Sequence, residues 1–207
     1  MNRLVALTAS LLTLACAPLA QAVSFSYANL PNTAVVFNGD STFGFTSGQN
    51  FHITSNGGLM GLRGEIDGVF TIGAGAETAT VTGEGTFSIK DSDGHALEAV
   101  LVWNHIFRVG SVGGFNYNAL VNLTDFTYSG SNAGLLELLG HNQAVNTLTF
   151  QFSQPGDLDV LRNTARSSSF SGSVTSMSQA VPDSSTSVVL VGFGLAALGF
   201  AARRRAS

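Results

Sequence analysis

Large apolar side chains return at every second position along most of this chain, and that period restricts its fold more than any other feature. Phe25-Ser26-Tyr27, Thr42-Phe43-Gly44-Phe45, Phe51-His52-Ile53, Phe87-Ser88-Ile89, Phe126-Thr127-Tyr128 and Leu148-Thr149-Phe150-Gln151-Phe152 each put their bulk on one side of an extended backbone. Successive side chains of a strand point to opposite faces, so each run reads as a half-buried strand. Val100 to Trp103 and Ala119 to Val121 are more continuously apolar, the pattern of central strands covered on both faces. Turn-forming clusters separate the runs: Asn38-Gly39-Asp40, Ser55 to Gly58, Asp91 to Gly94, Gly113-Gly114 and Ser129 to Asn132. The expectation is an all-β fold of roughly nine or ten short strands, an antiparallel β-sandwich or jelly roll.

One segment departs from the period. Leu135 to Leu139, with Ser131 or Asn132 before it and Gly140 after it, predicts one short helix closing an end of the sandwich. Ser167 to Val174 reads as the last strand, followed by a flexible linker from Thr175 to Ala180. The chain is rich in Gly, Ser, Thr and Asn, which alone would also suit disorder. Its 15 Phe and regular alternation argue for a packed core instead.

The folding unit is shorter than the chain, because both ends are apolar. Residues 1–22 read as a cleaved signal peptide. Asn2 and Arg3 form the polar start, an apolar run begins at Leu4, and Ala20-Gln21-Ala22 supplies the small-x-small site. Signal peptidase is the implied partner there, since its pockets admit only small side chains at Ala20 and Ala22. A lipoprotein reading would acylate Cys16, but Thr13 stands where such a motif wants Leu. Cys16 is the one cysteine of the chain. With it removed, the mature protein has neither disulfide nor thiolate chemistry.

At the other end, Val188 to Ala202 is uncharged and is followed by Arg203, Arg204 and Arg205. As a helix these residues would extend ~22 Å, against a hydrocarbon core of ~30 Å. Snorkelling arginines and a thinned bilayer make up the difference. The expectation is a transmembrane helix at 188–202, the three arginines as its stop-transfer cluster, and a basic cytoplasmic tail at 203–207. The domain plan is then 1–22 signal peptide, 23–175 β-sandwich, and 176–187 linker and processing motif before that helix.

The tail also carries a resemblance. Val181-Pro182-Asp183-Ser184, a short Ser/Thr spacer, a Gly-containing apolar helix and an arginine cluster resemble the VPDSG variant of the PEP-CTERM sorting segments. Ser185 departs from the Gly of that variant. The resemblance implies recognition at Val181 to Ser184 by an exosortase, a membrane-embedded cysteine peptidase-like enzyme. It further implies association with the outer surface and exopolysaccharide of Gram-negative bacteria. Pro182 has a fixed φ and no N–H, so the motif should be extended and accessible.

The body shows little that carries chemistry. Residues 23–180 hold twelve acids against five bases, a balance that repels phosphate backbones and excludes nucleic acid as a partner. There is no nucleophile elbow, phosphate loop or zinc-protease pair, and His52, His95, His105 and His141 lack ligand spacing. Glu65 with Asp67, and Asp157 with Asp159, would each share one side of a strand, the raw material of a two-carboxylate glycosidase or simply a solvated face. Asp91-Ser92-Asp93-Gly94 hints at calcium. Aligned on the EF-hand glycine, however, it puts Ile89 and Val100 at ligand positions, so a tight turn is the better reading. Asn122-Leu123-Thr124 matches a glycosylation sequon. Trp103 reads as core rather than as a sugar platform.

No catalytic residue, metal or cofactor is expected. The sequence points to an exported structural or adhesive protein of the cell surface or its polysaccharide matrix. The alternatives are a carbohydrate-binding module using exposed aromatics and a secreted glycan-active enzyme.

Overall fold

The computed structural model describes residues 22–110, 116–152 and 156–177. Twelve strands lie within them: β1 (Ser24–Asn29), β2 (Val35–Phe37), β3 (Thr42–Phe45), β4 (Phe51–Ile53), β5 (Arg63–Ile72), β6 (Thr78–Thr82), β7 (Gly85–Lys90), β8 (Ala96–Val109), β9 (Asn116–Thr127), β10 (Gln143–Gln151), β11 (Arg166–Ser168) and β12 (Phe170–Ser176). All pairings are antiparallel.

Several of these are pieces of longer strands. The register that pairs Tyr27 with Ile53 continues unchanged where Val35 pairs with Phe45. β1 with β2 and β3 with β4 are therefore two interrupted strands forming one hairpin. The same holds for β6 and β7, which face β5 in a single register. β11 and β12 together face β2 and β1, with a shift at Ser169. The result is eight long strands in chain order: β1/β2, β3/β4, β5, β6/β7, β8, β9, β10 and β11/β12.

Each strand pairs with the next, and the last returns to the first through Ser24 with Thr175 and Phe25 with Val174. The sheet is closed. This corrects the expected sandwich or jelly roll: the molecule is an up-and-down antiparallel barrel, which removes free edges altogether. Alternation gave each strand's inner face correctly, but a sandwich and a barrel impose the same alternation.

The inward residues form one core. Tyr27 and Phe51 approach to 4.6 Å between ring centroids, Phe51 stacks on Phe87 at 5.1 Å, and Trp103 meets the ring of Phe70 at 4.7 Å. Across the barrel, Phe37 reaches Phe150 at 5.5 Å. Trp103 is buried among these rings, as expected from its neighbours. Val100 and Val102 are 43% and 45% exposed, so β8 is not covered on both sides as its apolar run suggested. A barrel has one apolar interior, and no second layer packs over this part of it. Apolar inside and mainly polar outside is the reverse of a membrane-spanning barrel.

The closure seam is tightly fitted. Tyr27 pairs with Gly172 across β1 and β12, and a Cβ on Gly172 would lie 2.4 Å from the Tyr27 ring. The glycine makes room for an inward tyrosine whose hydroxyl donates to Asn146 Oδ1 at 2.8 Å. Burial pushes the Tyr27 phenol well above its ordinary range, so it is a permanent donor.

Two helices lie in the connections. α1 (Ala133–His141) is the expected one, and Asn132 is its cap, accepting from the N–H of Gly134 and Leu135. It runs past Gly140 and ends at Asn142, whose φ of 55° supplies the left-handed turn that the sequence assigned to glycine. α2 (Leu158–Asn163) was not expected. Its one turn and a half offers too little periodicity to be seen against the strands.

The last strand also differs from expectation. Ser167 to Val174 is broken at Ser169. The ladder then runs through Ser176, and Met177 still donates to the Gln143 carbonyl at 3.0 Å. Residues assigned to a linker, Thr175 and Ser176, are therefore part of the barrel, and the domain boundary falls after Met177 rather than at 175.

Candidate functional site

The first and last described residues of the barrel meet. Val23 is buried, its N–H donates to Ser176 Oγ at 2.7 Å, and Ser176 N–H returns a bond to the Val23 carbonyl at 2.8 Å. Ala22, one half of the expected cleavage site, is exposed immediately outside. Ala20, Val181, Pro182, Asp183, Ser184, Arg203, Arg204 and Arg205 lie outside the described residues, as does the apolar run 188–202. Among the described residues no helix is long and apolar enough to cross a membrane. The fold thus brings the attachment points of both terminal segments to one end of the barrel, which the sequence could not indicate.

The candidate carboxylates do not converge. Glu65 and Asp67 do share the outer face of β5, where Glu65 Oε1 accepts from the Gly48 N–H at 2.8 Å. Asp157 and Asp159 are not on a strand at all, which corrects that expectation. Asp157 caps α2 by accepting from the Val160 N–H at 3.0 Å, and Asp159 pairs with Arg162 at 2.9 Å. Three of these four acids hold backbone or a neighbouring charge.

Asp91 sits in the β7–β8 turn with its side chain buried. Its Oδ1 accepts from the N–H of Asp93 at 2.9 Å and of His95 at 2.8 Å, and its Oδ2 accepts from Tyr128 at 2.6 Å. Tyr128 in turn accepts from the Asn132 N–H at 3.0 Å. The carboxylate therefore ties the β7–β8 turn to the cap of α1. The Tyr128 hydrogen bond, aided by the backbone donors, holds it below the usual carboxylate range. Burial and this carboxylate push the Tyr128 phenol up. Donors, not open lone pairs, surround Asp91, as the turn reading requires. No cluster of metal-binding side chains occurs among the described residues.

The histidines are dispersed. His52 is half-buried in β4, His95 lies 3.6 Å from Asp91, His105 packs near Phe107 on β8, and His141 is buried in the last turn of α1. Asn122 of the sequon is on β9, half-buried. No aromatic side chain among the described residues is exposed; most pack in the core, and Phe107 is half-buried on β8 beside His105.

What the sequence did not reveal is a division of the outer surface. The outer positions of β5, β7 and β8 carry Arg63, Glu65, Asp67, Lys90 and Glu98, with Val69, Val100 and Val102 exposed among them. The neighbouring outer positions of β9 from Asn116 to Thr124, and of β10, β12 and β1, carry no ionisable side chain. They present Asn116, Asn118, Leu120 and Asn122, then Val145, Thr147 and Thr149, then Ser171, Ser173 and Thr175, then Ser24 and Ser26. The signal was available as alternate polar residues in each strand, but closure was needed to see that these strands adjoin.

At the Ser169 break this neutral surface opens into a groove of about 410 Å3, lined by Asn29, Asn116, Thr149, Gln151 and Ser171, with Phe150 and Phe170 beneath. Thr149 donates to Asn118 Oδ1 at 2.8 Å, and Gln151 Nε2 donates to Asn116 Oδ1.

Comparison with curated proteins and with solved structures finds no match for the chain. Residues 180–205, in contrast, match the VPDSG-CTERM motif. The chain carries, at its C-terminal end, a sorting segment of the PEP-CTERM kind.

Proposed function

We propose that this protein is exported through its N-terminal signal, held at the membrane by residues 188–202, processed at Val181 to Ser184 by an exosortase-type enzyme, and delivered to the cell surface as a structural or adhesive component. The observation that carries the reading is the match of residues 180–205 to the sorting motif. The barrel supports a non-catalytic role. Its interior is filled with packed aromatic and aliphatic side chains, and its candidate acids are dispersed or bound to backbone. Closure also suits a surface component, because a barrel offers no strand edge for uncontrolled association.

Only residues 178–180 separate Met177, whose N–H donates to the Gln143 carbonyl, from Val181. Four peptide units extend at most ~14 Å, so the processing enzyme must work close against a folded barrel. Mass spectrometry of the cell-associated and released protein, in the cells that make it, tests the reading. A new C-terminus between Ala180 and Ser185 supports it. An intact tail on all of the protein, or retention in the cytoplasm, overturns it.

A further inference from the structure

The up-and-down order puts the β4–β5, β7–β8 and β9–β10 connections at one end of the barrel, together with the start of β1 and the end of β12. Among the described residues, every exposed large apolar side chain that is not on a strand lies at this end. Met60 is 66% exposed in the β4–β5 connection, Leu136 is 43% exposed on α1, and Met177 is 42% exposed just past β12. The other five are valines on strands, where β-branched side chains suit the backbone. The described connections of the opposite end, 38–41, 73–77 and 156–165, expose no large apolar side chain.

We propose that the end bearing both termini rests on a phospholipid bilayer, with Met60, Leu136 and Met177 in the headgroup region. The inference rests on the anchoring of residues 188–202 and goes beyond it, giving the folded barrel a lipid contact of its own.

The three side chains belong to segments that the fold knits together. α1 starts against the β4–β5 connection, where a Cβ on Gly134 would lie 2.7 Å from Leu59 Cδ2. Asn56 of that connection donates to the Ser24 carbonyl at 3.1 Å, Ser24 pairs with Thr175, and the Met177 N–H reaches Gln143 just beyond α1. Around Met60 the chain stands clear, since a Cβ on Gly57, Gly58 or Gly61 would meet nothing within 4 Å. Residues 54–62, 128–136 and 167–177 contain no Asp, Glu, Lys, Arg or His, so these segments can approach an apolar phase without burying a charge. The flexible thioether of methionine adapts to an irregular surface.

The path of the chain selects lipid as the occupant. Residues 178–187 alone join Met177 to the apolar run that begins at Val188, a reach of at most roughly 40 Å. A tether of that length holds this end beside the bilayer at high effective concentration, so a small apolar patch suffices. Charge on the strand ends and connections here is mixed, with Arg63 and Lys90 against Asp93, Glu98, Asp125 and Glu137. Contact is therefore apolar rather than electrostatic, and insensitive to salt.

The test uses the mature exported protein with its tail, reconstituted in vesicles of phosphatidylethanolamine and phosphatidylglycerol. Loss of Cys16 with the signal leaves the chain free of thiols. Met60→Cys, Leu136→Cys and, at the opposite end, Ala74→Cys then each carry one environment-sensitive fluorophore. Lipids with a doxyl group near the headgroup should quench the first two by about half, as for a group ~5–10 Å into the interface, and leave the third unchanged. Adding Leu136→Asp should abolish quenching at Met60→Cys. Adding Val100→Asp, on the barrel wall, should not, and raised salt should change nothing.

Protein that floats with the vesicles but is quenched equally at all three positions, or at neither Met60→Cys nor Leu136→Cys, overturns the proposal. Disulfide cross-linking of Met60→Cys between copies in place of quenching assigns this end to a second copy and also overturns it. Protein that does not float with the vesicles defeats the anchoring reading and this contact with it, so flotation and quenching tell the two failures apart.

Discussion

The two sides of the barrel share one interior and differ only in what they show to water. β5 and β7 alternate core residues with Arg63, Glu65, Asp67 and Lys90, and β8 beside them adds Glu98 and exposes Val100 and Val102. β9, β10, β12 and β1 alternate core residues mainly with Asn, Gln, Thr and Ser, with Leu120 and Val145 half-buried among them. Strand solubility demands polar outward residues but not a particular kind. The fold requires the inner half of the pattern on both sides. The outer half is free to differ, and on β9 up to Thr124, β10, β12 and β1, as on β3 and β6, it carries no charge.

The comparison can be broken first at the seam inside the neutral side. Gly172→Val places a branched side chain where a Cβ already falls 2.4 Å from the Tyr27 ring and 2.7 Å from the Thr147 carbonyl oxygen. Overpacking of this kind costs ~3 kcal/mol or more, and urea unfolding should show it. A midpoint equal to wild type would mean that β1 and β12 do not close the barrel as described.

Tyr27→Phe is the next largest. It removes the hydrogen bond to the buried Asn146 Oδ1, and the Asn146 Nδ2 already lacks a partner among the described residues. A loss of ~1–3 kcal/mol is expected. Adding Asn146→Leu should recover part of it, because two apolar partners leave nothing unsatisfied. Failure of the second change to help would show that the pair is not an isolated polar unit.

At the β9–β10 connection, Asn132→Ala should cost ~1 kcal/mol by removing the α1 cap, read by the same unfolding curves. Asp91→Asn tests the linked turn through pH. The Asp91 carboxyl is depressed in the folded state, so its contribution is present above its unfolded pKa of about 4 and is lost as pH falls through the lower folded value. The stability gap between wild type and Asp91→Asn should therefore narrow on going from neutral pH to below about pH 4. A gap that is constant or widens on acidification contradicts the hydrogen-bond assignment.

The smallest effect is expected for Asp67→Asn, on the exposed outer face of β5: within ~0.5 kcal/mol of wild type. A large change there would mean that the charged face, too, has a partner or a buried network.

Legibility was uneven for reasons visible in particular residues. Phe25, Tyr27, Phe51, Ile53, Phe87 and Ile89 all point inward as their alternation required, because the period of a strand is a local property of the backbone. A cap at Ser131 or Asn132 was readable because such a side chain reaches only two and three residues ahead, and the structure gives the role to Asn132. α2 was not readable, since Asp157 and Asp159 alternate as a strand pair would, and only the bond to Val160 makes Asp157 a cap.

The linear sequence by itself determined the strand content, the inward set, the first helix, the acidic and cysteine-free body, and the sorting segment that begins at Val181. Each of these depends on neighbours a few positions apart. Tertiary structure alone decided that the sheet closes, that Val23 bonds to Ser176, and that the neutral strands lie side by side. Those contacts join residues far apart in the chain, where pairing is chosen by the fit of whole faces rather than by any local preference.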